Sequence, residues 1–350
     1  MIVDLDFERF FSGRLRQVFL YITDRCNLSC GHCLYKTTLA ERELPFERIS
    51  LLLSLFFEYG ARKVTLLGGE PTLYDGGYGR EGLAQVVRRA AHEGYTYVRI
   101  DTNGQYDESY LDALCVNTVS NLSFSLDGPT PTTNDELRGA NSFRNCVQNI
   151  KNAVDKGYYV SITSCVHRGN AASVDQLIAL SMSLGVRELN FHPLVKAGIA
   201  RDEFSGTWSI EPTEWEAVYS RLKEAASSLR DALSIRVPQR FVAENSYLAD
   251  PCRFEFCPVR LGERILVHPD GDIRVCALCI GSKYRLARVE GERITMESLA
   301  SETDGKRLSQ QPCMTQSLRR DGYVNLCMSY KPGQKEFVWT ETQMERVLFG

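Results

Sequence analysis

The sequence predicts an α/β fold: six parallel strands forming a partial barrel, then a small cysteine-rich domain. Three observations carry this. Short apolar runs alternate with helical patterns up to about residue 235. Unusual residues cluster where those runs end. Six of the twelve cysteines fall after Asp250, where regular patterning fades.

The strand segments are QVFLYIT (17–23), KVTLLGG (63–69), YTYVRIDT (95–102), NLSFSLDG (121–128), YYVSITSCV (158–166) and ELNFHPL (188–194). Between them, PFERISLLLSLFFEYG, GLAQVVRRAAHEG, SYLDALC, FRNCVQNIKNAVDKG and SVDQLIALSMSLG have helical spacing, and several end in glycine. Alternation of this kind implies parallel strands with right-handed crossovers. The runs read as apolar rather than alternating, as for strands covered on both faces. TEWEAVYSRLKEAASSLRDAL (213–233) closes the unit as a long helix. The barrel is expected over 1–235 and the second domain over 236–350. In the latter, RILVHPDGDIRVC (264–276) reads as a β-hairpin around Pro269–Asp272. That region has too little regular core to hold together by burial alone.

The charge is nearly balanced, 41 Lys+Arg against 44 Asp+Glu, so no broad basic face for nucleic acid is expected. No apolar run approaches the roughly 20 residues that span a bilayer, and the acidic N-terminus lacks a signal-peptide flank. A cytoplasmic protein follows, in which twelve cysteines serve metal or redox chemistry rather than disulfides. Cys115, Cys146 and Cys165 are scattered and read as small apolar residues.

In parallel α/β folds ligands bind at the carboxyl ends of strands. Here the first strand runs into Cys26, Cys30 and Cys33, the second into Gly68-Gly69-Glu70-Pro71, and the third into Asp101-Thr102-Asn103-Gly104. The fourth ends in Ser125-Leu126-Asp127-Gly128, the fifth in His167-Arg168-Gly169-Asn170 and the sixth in His192-Pro193-Leu194. Three thiolates can hold three irons of a 4Fe–4S cubane and leave the fourth open. A zinc site would close with a fourth ligand, and His32 is too near in sequence to Cys30 and Cys33 to converge easily with them.

Cys26-x3-Cys30-x2-Cys33 with GGEP resembles the radical S-adenosylmethionine (SAM) enzymes. DTNG, SLDGP and NDELRG (134–139) are similar to further motifs of the SPASM/Twitch subgroup, whose C-terminal extension binds auxiliary clusters. The resemblance implies a partial (β/α)6 TIM-like barrel with a Twitch/SPASM-like domain. It implies an open iron that binds SAM and passes it one electron, giving methionine and a 5′-deoxyadenosyl radical that abstracts hydrogen from an unactivated carbon. Gly68, Gly69 and Glu70 are then expected at the methionine amine, and Arg168 at its carboxylate. Ser125 and Asp127 are expected at the ribose with Asn103 close by, and Leu194 and Val195 on the adenine.

Cys252-x4-Cys257-x18-Cys276 resembles the first three ligands of the family's auxiliary 4Fe–4S cluster, with Cys327, Cys313 or Cys279 as the fourth. Six late cysteines cannot supply eight ligands, so one auxiliary cluster is expected, with Cys327 as its fourth ligand. Cys279, past Cys276, is the candidate hydrogen-atom donor to a substrate radical, as in family members that epimerise stereocentres. The first strand begins near Gln17, leaving no room for a leader-binding domain before it. This favours a small polar natural-product intermediate (a sugar, aminocyclitol or nucleoside) that is epimerised or dehydrogenated; maturation of a ribosomally made peptide is the alternative. The loop 192–208 is the expected substrate lid. The partners implied are that substrate and an electron donor such as flavodoxin or ferredoxin, with no nucleic acid and no membrane. Readings from other classes are a zinc-stabilised, non-catalytic binding protein and a thiol redox protein using Cys276-x2-Cys279.

Overall fold

A two-residue strand, Ile2–Val3 (β1), leads into the short helix Leu5–Phe11 (α1), whose cap Asp4 accepts from the Asp6 amide and whose Phe7 and Phe11 are buried. Six strands then pair in parallel: Gln17–Thr23 (β2), Lys63–Gly68 (β3), Tyr97–Thr102 (β4), Asn121–Ser125 (β5), Val160–Val166 (β6) and Glu188–Pro193 (β7). The helices Phe46–Glu58 (α2), Gly82–Glu93 (α3), Pro131–Arg138 (α4), Ser142–Asp155 (α5) and Val174–Ser183 (α6) lie between these strands, and Pro212–Ser228 (α7) leads to Ser234–Arg236 (β8), which pairs with β7. The computed structural model describes residues 1–35, 41–194, 208–249, 262–274, 276–277, 285–296 and 322–327.

Every expected strand is present. The expected helix over SYLDALC is instead a 3-10 turn, Glu108–Ala113, because Asp107 caps so short a segment that it ends before an α-helix can propagate. Helix α4 was not foreseen, although its start is written in the chain: Thr130 caps it, Pro131 occupies its first turn, and Thr133 closes the capping box.

The strands are not apolar on both faces, and this corrects the sequence reading. From β2 to β6, even positions such as Val18, Leu20, Val64, Ile100, Phe124 and Ile162 are buried in the hydrophobic core. Odd positions carry polar groups that bond to one another across one face: Gln17 to Thr65, Arg99 to Ser123 and Thr163, and Ser161 to Asn121. The period of two was present in the chain (K-V-T-L, Y-V-R-I-D, N-L-S-F-S), but the aromatic residues at inward positions concealed it. The barrel therefore has a polar lumen and an apolar exterior under its helices.

The later strands are Gln239–Ala243 (β9), Arg264–Val267 (β10), Asp272–Arg274 (β11), Arg285–Glu290 (β12), Arg293–Met296 (β13) and Tyr323–Cys327 (β14), with Glu244–Ala249 (α8) after β9. The expected hairpin is β10–β11. It is not free-standing, since β10 pairs in parallel with β2 from Arg264↔Gln17 to Val267↔Leu20. Strand β13 pairs in turn with β1, giving one open 12-stranded sheet ordered β1-β13-β12-β11-β10-β2-β3-β4-β5-β6-β7-β8. Strands β10 to β13 thus join the barrel through a main-chain ladder, which adds to the poor core expected of that region. Among the described residues no helix is long and apolar enough to cross a membrane.

Candidate active site

Past Thr23 the chain is drawn tightly against the end of β3. The Gly69 amide donates to the Thr23 carbonyl at 2.7 Å and the Glu70 amide to the Arg25 carbonyl at 2.7 Å. A Cβ at Gly68 would stand 2.4 Å from the Thr23 carbonyl oxygen, and one at Gly69 2.3 Å from that of Arg25, so neither position admits a side chain without displacing the loop. These glycines first let the chain approach itself. They also line a cleft with Cys26, Cys30, Cys33, Leu28, Tyr21 and His268.

Glu70 is buried and fully engaged. Its Oε1 accepts from the Thr72 amide at 3.1 Å, from the Thr72 hydroxyl at 2.8 Å and from the Thr102 hydroxyl at 2.7 Å, while Oε2 accepts from the Asn103 amide at 2.7 Å. It ties the end of β3 to the end of β4. Asn103 is thereby aimed at the cysteine loop, its Nδ2 donating to Asn27 Oδ1 at 2.8 Å and lying 3.8 Å from Cys26 Sγ.

The other side of the loop rests on α4. The Gly31 amide donates to the Leu137 carbonyl at 2.8 Å, and Cys30 Sγ lies 3.9 Å from the Arg138 carbonyl. Arg138 and Asp127 form a buried two-point ion pair, with Nε–Oδ2 at 2.6 Å and Nη2–Oδ1 at 2.9 Å. Asp127 also faces His32 at 3.4 Å and accepts from the Cys165 amide at 2.8 Å. Its carboxyl is held below the ordinary range: burial alone would raise it, but Arg138, His32 and these hydrogen bonds outweigh burial. Burial and Arg138 bring His32 down to about 4, against the opposing pull of Asp127.

The third wall comes from the hairpin. Tyr21 and His268 stack at 4.3 Å with planes 13° apart, and the Tyr35 hydroxyl shares a 3.0 Å bond with that of Tyr21. Tyr35 also donates to the Ala277 carbonyl at 2.9 Å, which seats Ala277 against the cysteine loop.

The donor set fits an iron–sulfur cluster. The three cysteines lie near enough to sense one another's charge, and burial pushes the Cys26 thiol up to about 11, so a bound cation must supply the charge that makes it a thiolate. Among the described residues no three ligands gather tightly enough for a single metal ion, and His32 is turned to Asp127. Three separated sulfurs around one cleft suit a cubane with an open iron rather than a zinc ion.

Residues 20–180 match the family model for the radical SAM superfamily. This part of the chain is a radical SAM domain. It is therefore similar to enzymes whose family implies a 4Fe–4S cluster and SAM. A probable GTP 3′,8-cyclase of Saccharolobus solfataricus is 28% identical over 196 residues, 55% of this chain and 62% of that protein. One of Sulfurisphaera tokodaii is 25% identical over 274 residues, 76% of this chain and 82% of that protein. The chain thus spans about 62% of the length of the first of these relatives. Among solved structures, anSMEcpe with bound AdoMet superposes with a TM-score of 0.61 at 18% identity, covering 83% of this chain and 81% of that one. SuiB of Streptococcus suis bound to precursor peptide SuiA gives 0.60 at 16%, covering 77% and 61%. At these identities the two structures speak for the fold alone.

Within this radical SAM site the expected residues fall into three groups. Cys26, Cys30, Cys33, Gly68, Gly69, Glu70, Asn103 and Asp127 are brought together around the cysteine loop. Ser125 ends β5 on the lumen face with a hydroxyl that makes no hydrogen bond among the described residues, and Leu194 is buried, its amide bonded to Val166 at 2.7 Å. Arg168 stands apart, half-exposed and paired with Glu214 at 3.2 Å and Glu211 at 3.6 Å. Val195, Cys252, Cys257, Cys279, Cys313 and most of the expected lid lie outside the described residues. Cys276 sits beside Tyr35, and Cys327 ends β14 opposite Gln239. Sequence reasoning gave no role to Arg138, Tyr35 or His268. Arg138 had a signal, since NDELRG was singled out as a motif; the other two become visible only when β10 pairs with β2.

Proposed function

We propose that this radical SAM enzyme acts on a small, ring-bearing polar substrate held in the lumen beneath the cysteine cleft. The observation that carries the reading is a three-cysteine loop, closed on Gly68–Gly69 and Glu70, standing at the mouth of a barrel with a polar interior. A cluster at Cys26, Cys30 and Cys33, with SAM on its open iron, would supply a 5′-deoxyadenosyl radical able to take hydrogen from an unactivated carbon. The chain's own groups position and insulate: Glu70 and Asn103 hold the loop from one side, Arg138 and Asp127 from the other, while Tyr21, Tyr35 and His268 close the hairpin side. The relatives' printed activity, on a nucleotide, supports a nucleoside among the substrate classes, alongside a sugar or aminocyclitol.

An auxiliary 4Fe–4S cluster on Cys252, Cys257, Cys276 and Cys327 belongs to the same proposal, supported by the spacing and by the closeness of Cys276 to Tyr35. Reduction would come from a flavodoxin- or ferredoxin-type donor in the cytoplasm. Anaerobic purification should yield about eight irons and matching sulfide per chain. Incubation with SAM and dithionite should release 5′-deoxyadenosine. Zinc without labile sulfide, or no 5′-deoxyadenosine, ends this reading.

A further inference from the structure

The lumen carries a polar arrangement that the SAM site does not use. Asp101, on the inner face of β4, is 31% exposed, and its Oδ1 accepts from Arg99 Nε at 2.5 Å. Arg99 is only 8% exposed as a side chain. Its Nη2 donates to the Ser123 hydroxyl at 2.9 Å and reaches that of Thr163 at 3.3 Å. Its Nη1 is buried and makes no hydrogen bond among the described residues. Glu188, whose carboxylate lies 4.0 Å from that nitrogen, is engaged by Arg236 at 2.9 Å and by Asn190 at 3.0 Å. A buried guanidinium N–H without an acceptor costs stability unless a ligand or water completes it.

Two further residues place this pair next to the chemistry. Tyr21, which lines the cysteine cleft, lies near enough to Asp101 to feel its charge. His192, on the inner face of β7 and opposite Cys165 in the ladder, is near enough to Arg99 that burial and the guanidinium together hold it down to about 4. It therefore stands neutral beside the pair at working pH, able to donate from one ring nitrogen and accept at the other.

We infer that Asp101, oriented by Arg99, recognises a neutral, hydroxyl-rich ring in the lumen, with Arg99 Nη1 and His192 as its partners; this rests on the substrate reading given above. The charge arithmetic decides the class. Asp101 is already neutralised by Arg99, so the pair offers an amine no unpaired carboxylate and a phosphate no unpaired cation. What it offers is a carboxylate acceptor, a guanidinium donor and a neutral imidazole. A ring hydroxyl donates and accepts at once, and so matches all three. Each hydrogen bond to a charged partner is worth roughly 1.5–3 kcal/mol, about ten-fold or more in affinity.

The test is calorimetric binding to the SAM-loaded holoenzyme of two matched sets: glucose against glucosamine and glucose 6-phosphate, and guanosine against GTP. The neutral member of a set should bind roughly ten-fold more tightly than its charged partners, and Asp101→Asn should remove that preference by weakening the neutral probe about ten-fold. A charged member binding as tightly in both sets, no neutral probe binding, or an Asp101→Asn variant with unchanged affinity overturns the inference. Should Asp101→Asn lower the unfolding midpoint, His192→Phe, which keeps the ring and removes its hydrogen bonds, carries the same comparison. Failure of the radical reading is seen separately, as absence of 5′-deoxyadenosine from wild-type enzyme with SAM and reductant alone.

Discussion

The two halves of the barrel rim use the same residue types in opposite ways. On the near rim, at the ends of β3 to β5, Glu70 and Asp127 are buried and bound by Thr102, Asn103 and Arg138, which brace the cysteine loop. On the far rim, after β6, Arg168, Glu211 and Glu214 form exposed pairs that hold the start of α7 near the strand end. Buried pairs are strongly coupled to their surroundings, whereas exposed ones are screened and worth little. The near rim should therefore respond to single-atom changes, and the far rim should tolerate them.

The largest effect tests the near rim outright. Replacing Cys26, Cys30 and Cys33 together with alanine should abolish 5′-deoxyadenosine and lower iron from about eight to about four per chain, since an auxiliary cluster would survive. Residual SAM cleavage would sink the assignment of the loop. Next in size is Gly69→Ala, whose methyl would meet the Arg25 carbonyl at 2.3 Å. The loop must shift by about an ångström, which is expected to cost on the order of 100-fold in 5′-deoxyadenosine formation. Activity within a few-fold of wild type would mean that the approach of β3 to the loop is not what positions the cysteines.

Asp127→Asn removes the carboxylate from a buried Arg138 and should destabilise the fold by about 3–5 kcal/mol, read as a lowered denaturant midpoint. A midpoint unchanged from wild type would show that the pair is solvated. A smaller effect is expected at His167, buried against Trp208, with its Nδ1 accepting from the Gly169 amide at 3.1 Å. Burial first, then Arg138, holds it down to about 4 from an ordinary 6.5, against the pull of Asp127. The unfolded chain thus takes up this proton before the folded one. Its stability contribution is complete above pH 6.5 and is lost as pH falls toward 4. His167→Gln should flatten the acid limb of stability between those values by up to about 1.4 kcal/mol per pH unit. An equally steep limb in the variant would assign the acid sensitivity elsewhere.

The near rim was legible because its motifs are local. Cys26, Cys30 and Cys33 and the glycines of GGEP each fall within a few residues of a strand end, and strand ends follow from periodicity. Their partners were harder to read. Arg138 reaches Asp127 across a helix that begins only because Thr130 and Pro131 start it. Tyr35 and His268 meet across the parallel pairing of β10 with β2, joining segments more than two hundred positions apart in sequence. The polar lumen was misread because aromatic and β-branched residues sit on both faces of these strands, and a count of apolar residues hides a period of two.

Arg168 is where the two rims can be told apart most sharply. Its guanidinium suits the methionine carboxylate of SAM by chemistry, and its place just after β6 suits it by sequence. Yet its side chain is 44% exposed and already holds Glu214 and Glu211, whereas Arg138 is buried beside Cys30. Losing exposed pairs of this kind costs less than about 1 kcal/mol. Arg168→Ala should therefore change SAM affinity and 5′-deoxyadenosine formation by less than about five-fold, the equilibrium equivalent of that energy. The measurement is SAM binding to the reconstituted enzyme at low and high salt, because an exposed cation acting only through the field would lose even this small effect as salt rises. A SAM affinity reduced by about a hundred-fold at both ionic strengths would instead mean that Arg168 abandons Glu211 and Glu214 to grip the cofactor, and that the far rim belongs to the site.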